Sequence, residues 1–172
     1  MLESDAGAGG GTGAGGRASL TERELALFQD FIQPLIGLPV SHVWRGYGSA
    51  LFLELGKVTP RVRRDETTSP NPYGEWSLGI EWSWRLEGKR RIWCGSWSDE
   101  ERWLPFLNTL IGTTVSKVEL FGRLPEVDVM FSNGLHLLSL MTADGDPEWG
   151  FINRGSGHKS VRVRAGRLVF EN

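Results

Sequence analysis

The chain has one cysteine, Cys94, which excludes an internal disulfide framework and any zinc site built from several thiolates. Its three histidines, His42, His136 and His158, are scattered without H-x-H or H-E-x-x-H spacing, so metal catalysis loses its usual ligands. Nowhere do about 18 apolar residues run together, which removes a membrane-spanning helix. Glu3 and Asp5 replace the basic start of a secretory signal, and no apolar stretch follows them. Neither charge dominates: 19 bases against 21 acids give a formal net charge of −2, opposite to the basic footprint of a nucleic-acid binder. These absences predict a protein of a reducing, cytoplasmic compartment, away from membranes and nucleic acid, with no metal and no cofactor.

What is present is a globular composition, 40% hydrophobic and 23% charged, with eight tryptophans against two tyrosines. Residues 6–16, AGAGGGTGAGG, hold seven of the 23 glycines and nothing larger than Thr12. They bury too little apolar area to offset the entropy of ordering them, so residues 1–17 read as a flexible tail and 18–172 as one globular domain. Gly11, Gly13 and Gly16 match G-x-G-x-x-G, but no strand precedes them, and the pattern carries phosphate chemistry only inside a βαβ unit.

The domain repeats itself. LIGLPVSHV at Leu35 to Val43 matches LIGTTVSKV at Leu110 to Val118 at six of nine positions, 75 residues apart. Upstream, Ser19 with Glu22 and Ser98 with Glu101 read as S-x-x-E capping boxes before amphipathic helices. Downstream, alternating Leu51, Leu53, Leu55 corresponds to Val127, Val129, Phe131, strands with one buried face. GEWSL at Gly74 to Leu78 echoes PEWGF at Pro147 to Phe151, and Trp84 to Cys94 parallels Val161 to Glu171 as a final hairpin. The expected fold is therefore α+β, strand-rich and mostly antiparallel. Two tandem units of a helix and about five strands, near 19–94 and 98–171, pack as one pseudo-twofold domain because each alone is small. The halves differ most before the E-W signature, where Lys57 to Gly74 is longer than Leu135 to Pro147.

Several constellations could carry chemistry. Glu75 and Glu148, each before a tryptophan, could form the carboxylate pair of a glycoside hydrolase, with Trp76 and Trp149 suited to a sugar. In a one-sided strand, however, adjacent residues face opposite ways, which makes the tryptophans core and the glutamates solvated. Trp82, Trp84, Trp93, Trp97 and Trp103 crowd the middle of the chain, a stacking platform or packed core. Arg61, Arg63 and Arg64, then Lys89 to Arg91, then Arg162, Arg164 and Arg167 read as solvated strand faces balanced by the acids. Asp144, Asp146 and Glu148 lack the glycine placement of a calcium loop and read as a hairpin turn. Cys94-Gly95-Ser96 has no local thiol-protease signature, so Cys94 reads as a small buried residue.

The duplicated L-x-G-x-x-V-x-x-V, with an alternating apolar strand and a closing W-x-apolar, resembles small bacterial domains of unknown function, some of which accompany toxin genes as suspected immunity proteins. The resemblance covers most of Leu35 to Ile92 and Leu110 to Ile152 and implies a fold, with no catalytic residue carried over. The sequence therefore predicts a non-enzymatic binding protein that recognises another protein. Its contact surface is expected at the unequal loop from Arg61 through Arg63 and Arg64 to Tyr73, with Trp82, Trp84, Trp93 and Trp97. The alternative is a carbohydrate-active hydrolase or sugar-binding module using the Trp-rich face and paired glutamates.

Overall fold

The computed structural model describes residues 20–81, 83–142, 148–155 and 157–172. The glycine-rich tail, Ser19, Trp82, Asp144 and Asp146 lie outside the described residues. Helix α1 (Glu22–Ile32) opens on a capping box between Thr21 and Glu24, whose side chains bond each other's backbone amides, and it buries Phe28 and Ile32. The threonine two positions after Ser19 thus caps α1. Helix α2 (Trp103–Leu107) is only five residues long and has no side-chain cap. Ser98 instead accepts from the Trp103 indole, so the second expected capping box is not formed.

Eleven antiparallel strands among the described residues form two sheets. β1 (Val40–Arg45), β2 (Leu51–Thr59), β3 (Tyr73–Ile80), β4 (Trp84–Gly88) and β5 (Arg91–Gly95) precede α2. β6 (Val115–Phe121), β7 (Glu126–Phe131), β8 (His136–Ser139), β9 (Trp149–Asn153), β10 (Lys159–Arg164) and β11 (Arg167–Glu171) follow it. The six-stranded sheet runs β1-β2-β3-β9-β10-β11 and the five-stranded sheet β6-β7-β8-β4-β5. Each half thus supplies three strands to one sheet and then crosses to finish the other. This strand-rich α+β architecture agrees with the alternation read in the sequence: Leu51, Leu53, Leu55, Val127, Val129 and Phe131 all lie in the core.

The repeated motif sits where the two sheets meet. Gly37 donates to the Val115 carbonyl and Gly112 to the Val40 carbonyl, each at 2.8 Å. Val40 donates to Thr113 at 2.8 Å and Val115 to Leu38 at 3.0 Å, while Pro39 and Thr114 face one another in an isolated bridge. Both glycines have positive φ, 89° and 84°, the turn that brings each segment back onto the other.

Trp76 and Trp149 share one sheet and Trp84 lies in the other. Trp76 in β3 and Trp149 in β9 belong to neighbouring strands of one sheet, where Trp76 pairs with Asn153 and Ile80 with Trp149. The strand that holds in the five-stranded sheet the place of β9 is β4, which begins at Trp84. The indoles agree: Trp84 donates to the Ser49 carbonyl before β2, Trp149 to the Pro125 carbonyl before β7, both at 2.7 Å. Each also meets a helix ring edge-on, Trp84 against Trp103 at 5.2 Å and Trp149 against Phe28 at 6.1 Å. A W-x-apolar triplet marks any strand with one buried face, and Trp84-Arg85-Leu86 carries it as Trp76 and Trp149 do.

Candidate functional site

With Leu51, Leu53 and Leu55 turned into the core, Phe52 and Glu54 of β2 face outward, as do Ser77 and Gly79 of β3. This outer face of the six-stranded sheet carries the candidate site. At one end the segment 60–72 folds back as a miniature hairpin, closed by a Val62–Thr68 bridge and by Arg63 donating to Thr67 and Ser69 to Arg61. Asp65 accepts from the amide and hydroxyl of Thr67, which holds its carboxyl below the ordinary range. His42 tethers Asn71 to β1 at 3.2 Å. The connection occupying the same place in the five-stranded sheet, between β7 and β8, is a four-residue turn at Gly134.

Arg61 and Tyr73, both half-buried, meet at the base of this hairpin, the guanidinium carbon 5.0 Å from the ring centroid. Arg63 and Arg64 stand exposed toward its tip. A residue the sequence reading missed completes the cluster: Arg154, beyond β9, lies 4.6 Å from the same ring. Its guanidinium donates to Ser77 Oγ and to the Gly74 carbonyl at 3.4 Å and stands 3.8 Å from Glu54. Glu54 is only 2% exposed, and accepts from the Trp44 indole at 3.0 Å, the Gly74 amide at 2.7 Å and Ser77 Oγ. A buried carboxylate therefore fixes Arg154, and Arg154 fixes Tyr73.

Farther along the same face, Gly79 and Gly150 pair directly across β3 and β9. They floor a groove of about 310 Å³ whose walls and end include Glu81, Glu148, Ile152 and Arg162. Phe52 leans over Gly79, where a Cβ would come within 3.0 Å of its ring, and Trp44 stacks on Phe52 at 4.1 Å.

The aromatic residues proposed for contact divide. Trp84 is 2% exposed and belongs to the core, so it presents nothing to a partner. Trp93 is half-buried, packed edge-on against Phe106 with Arg91 over it. Trp97 is 82% exposed. Both belong to the five-stranded sheet's side of the chain, on and just after β5, apart from the Arg61–Tyr73 cluster. Trp76, Trp103 and Trp149 are core.

The paired glutamates do not meet. Glu75 lies where Arg154 donates to its carbonyl, whereas Glu148 lies beside Glu81 at the other end of the β3–β9 pair. Six residues of strand separate the two, roughly 20 Å, well beyond the roughly 5–10 Å that glycosidase carboxylates span. Cys94 is 1% exposed, and burial pushes its thiol up to about 11, which keeps it protonated and unreactive at neutral pH.

On the outer face of the five-stranded sheet, His136 Nδ1 lies 3.1 Å from both oxygens of Asp128. Burial raises the Asp128 pKa against the lowering effect of His136, with Glu87 and Glu119 adding to the rise. Among the described residues no three His, Cys, Asp or Glu side chains are placed to hold a metal ion, and no helix is long and apolar enough to cross a membrane. No protein-family model, curated protein or solved structure matches the chain.

Proposed function

We propose that the protein is a non-enzymatic recognition module that binds another protein through the 60–72 hairpin and the Arg61–Tyr73–Arg154 cluster. The observation that carries this reading is the preorganisation of Tyr73 by Arg154, itself held by the buried Glu54. Tyrosine and arginine are the side chains that most often anchor interfaces, and a ring already fixed loses little entropy on binding. Arg154 is balanced by Glu54, and in the hairpin Arg61, Arg63 and Arg64 outnumber the acids Asp65 and Glu66 by one, which suits an acidic patch on the partner. An immunity-type role in the cytoplasm belongs to the same reading and rests on the resemblance noted above.

We also infer that the halves descend from one duplicated unit whose terminal strands exchanged sheets. The reciprocal bonds of Gly37 and Gly112 and the matching indole bonds of Trp84 and Trp149 support this. On that history, the long β2–β3 connection is the part in which one copy diverged to take a partner.

The test is capture from the native host beside a broad hydrolase screen. A protein retained by the wild type and lost with Tyr73→Ala or Arg61→Glu is expected. Glycoside turnover abolished by both Glu75→Gln and Glu148→Gln, with no such protein, contradicts the reading.

A further inference from the structure

The six-stranded sheet ends in β1 and β11, the five-stranded sheet in β5 and β6. Register shifts interrupt the ladders of β1, β5 and β6 with their neighbours, an irregularity that keeps an exposed edge from pairing with another chain. The β10–β11 ladder has none, running unbroken from Arg164–Arg167 to Ser160–Glu171. Ala165 and Gly166 both have positive φ, 48° and 71°, so this hairpin closes through a two-residue turn whose flanking pair, Arg164 and Arg167, is hydrogen-bonded. Alternation from that pair turns the backbone N–H and C=O of Arg167, Val169 and Glu171 toward β10, and those of Leu168 and Phe170 toward the free edge. Among the described residues no backbone hydrogen bond outside the ladder reaches Leu168 or Phe170.

This edge is complementary to itself. Read antiparallel about Val169, the segment Arg167–Glu171 sets Arg167 opposite Glu171 and Leu168 opposite Phe170. The bonding phase agrees, because the pairs that exchange backbone bonds are then those of Leu168 and Phe170, whose groups face outward. Arg167 lacks a counter-charge: it stands directly across from Arg164, a like-charge pair that destabilises the hairpin. It forms no ion pair among the described residues. The amide and hydroxyl of Thr21 hold the Glu24 carboxylate low, with Arg167 the least of the causes, so that acid is already engaged. Glu171 has an oxygen to offer, since Arg162 at 2.7 Å and Ser160 at 3.2 Å both donate to Oε2. On the core side the edge is apolar. Phe170, 37% exposed, meets Phe31 edge-on at 6.2 Å, and Leu27, 46% exposed, lies one turn before Phe31 on the same flank of α1.

We propose that β11 pairs antiparallel with β11 of a second copy of this chain, the two Val169 residues facing across a two-fold axis, so that two six-stranded sheets join into one. Leu168 and Phe170 exchange backbone bonds across the axis. Arg167 meets Glu171 of the second copy on the outer face, and Phe170 and Leu27 are covered on the other. An interface of this symmetry uses up the edge, so assembly stops at two copies. It is small, a five-residue strand and one helix flank, and therefore reversible. Tyr73 lies on β3, three strands from β11, so the dimer leaves the Arg61–Tyr73–Arg154 cluster of each copy uncovered.

The test is sedimentation equilibrium of the full chain from about 10 µM to about 1 mM, the range of a small reversible interface, with amide hydrogen exchange followed at the same concentrations. The mass should rise toward that of a dimer and no further, while the Leu168 and Phe170 amides gain protection in step with it. Arg167→Glu relieves the repulsion from Arg164, which keeps the fold intact, but sets glutamate against glutamate across the axis. It should weaken association at least about tenfold, and Glu171→Arg should do the same. An equimolar mixture of the two variants should associate again, because each supplies the charge that the other lacks. If Glu171→Arg frays β11 by losing the pair with Arg162, the result for Arg167→Glu alone decides. A monomer throughout, growth beyond two copies, or a dimer whose Leu168 and Phe170 amides stay unprotected overturns the proposal. So does undiminished association of Arg167→Glu, or a mixture of the two folded variants that remains monomeric.

Discussion

Val40 and Val115 stand in a reciprocal relationship: the carbonyl of each accepts from the glycine of the other's motif, Gly112 and Gly37, at 2.8 Å. The repeated LIG-x-x-V segments thus hold each other, and the left-handed turn at each glycine is what lets them do so. Nothing lies within 4 Å of a Cβ placed on either glycine, so an alanine there is penalised by backbone conformation alone. Gly37→Ala and Gly112→Ala should each destabilise by about 1–2 kcal/mol, by nearly equal amounts, in chemical denaturation. A large inequality contradicts the equivalence of the two turns.

Trp84→Ala and Trp149→Ala should each cost about 3–5 kcal/mol as large-to-small core substitutions, and each leaves a hairpin carbonyl without its indole donor. Trp97→Ala, at an 82% exposed position, should change stability by less than about 0.5 kcal/mol. Thermal melts of the three variants decide between core and surface roles.

Glu54→Gln should destabilise by roughly 3 kcal/mol, because it removes the charge facing Arg154 from a buried site. Adding Arg154→Met should recover part of that loss, and the double-mutant cycle measures the coupling directly. Purely additive losses contradict the link from Glu54 through Arg154 to Tyr73.

Asp128 gives a pH signature. Its folded pKa is raised, chiefly by burial, so the folded state holds this proton more tightly than the unfolded chain does. The resulting stabilisation is fully present below the ordinary aspartate range near pH 4 and is lost as pH rises through the raised folded value. Asp128→Asn should therefore be more stable than the wild type at pH 7, with the advantage shrinking toward pH 4. Denaturation at both pH values checks it, and an advantage that grows on acidification contradicts it.

Much of the fold was legible because it depends on local period. Leu51 to Leu55 and Val127 to Phe131 alternate, and the motif at Leu35 and Leu110 marks both arms of the sheet junction. What the sequence concealed is long-range. The crossing of β4 and β5, and of β9 to β11, into the other sheet leaves no local trace. Capping chemistry misled for a similar reason, since Thr21 and Glu24 offer the same pattern two residues after Ser19. The site was half visible: Arg61 and Tyr73 flank an unequal loop, but Arg154 arrives from 81 residues beyond Tyr73 and Gly79 meets Gly150 only through strand pairing. Trp84, which the sequence left open between a stacking platform and packed core, is core by burial.

The most direct measurement is the affinity of the captured partner for the wild type, Tyr73→Ala and Arg61→Glu, by calorimetry on purified proteins with stability matched by melting temperature. Anchor residues of this kind should weaken binding by about tenfold or more, with Arg61→Glu losing more at low salt than at high salt as a rim charge does. Affinities unchanged in both variants, in proteins that remain folded, contradict recognition through the Arg61–Tyr73–Arg154 cluster.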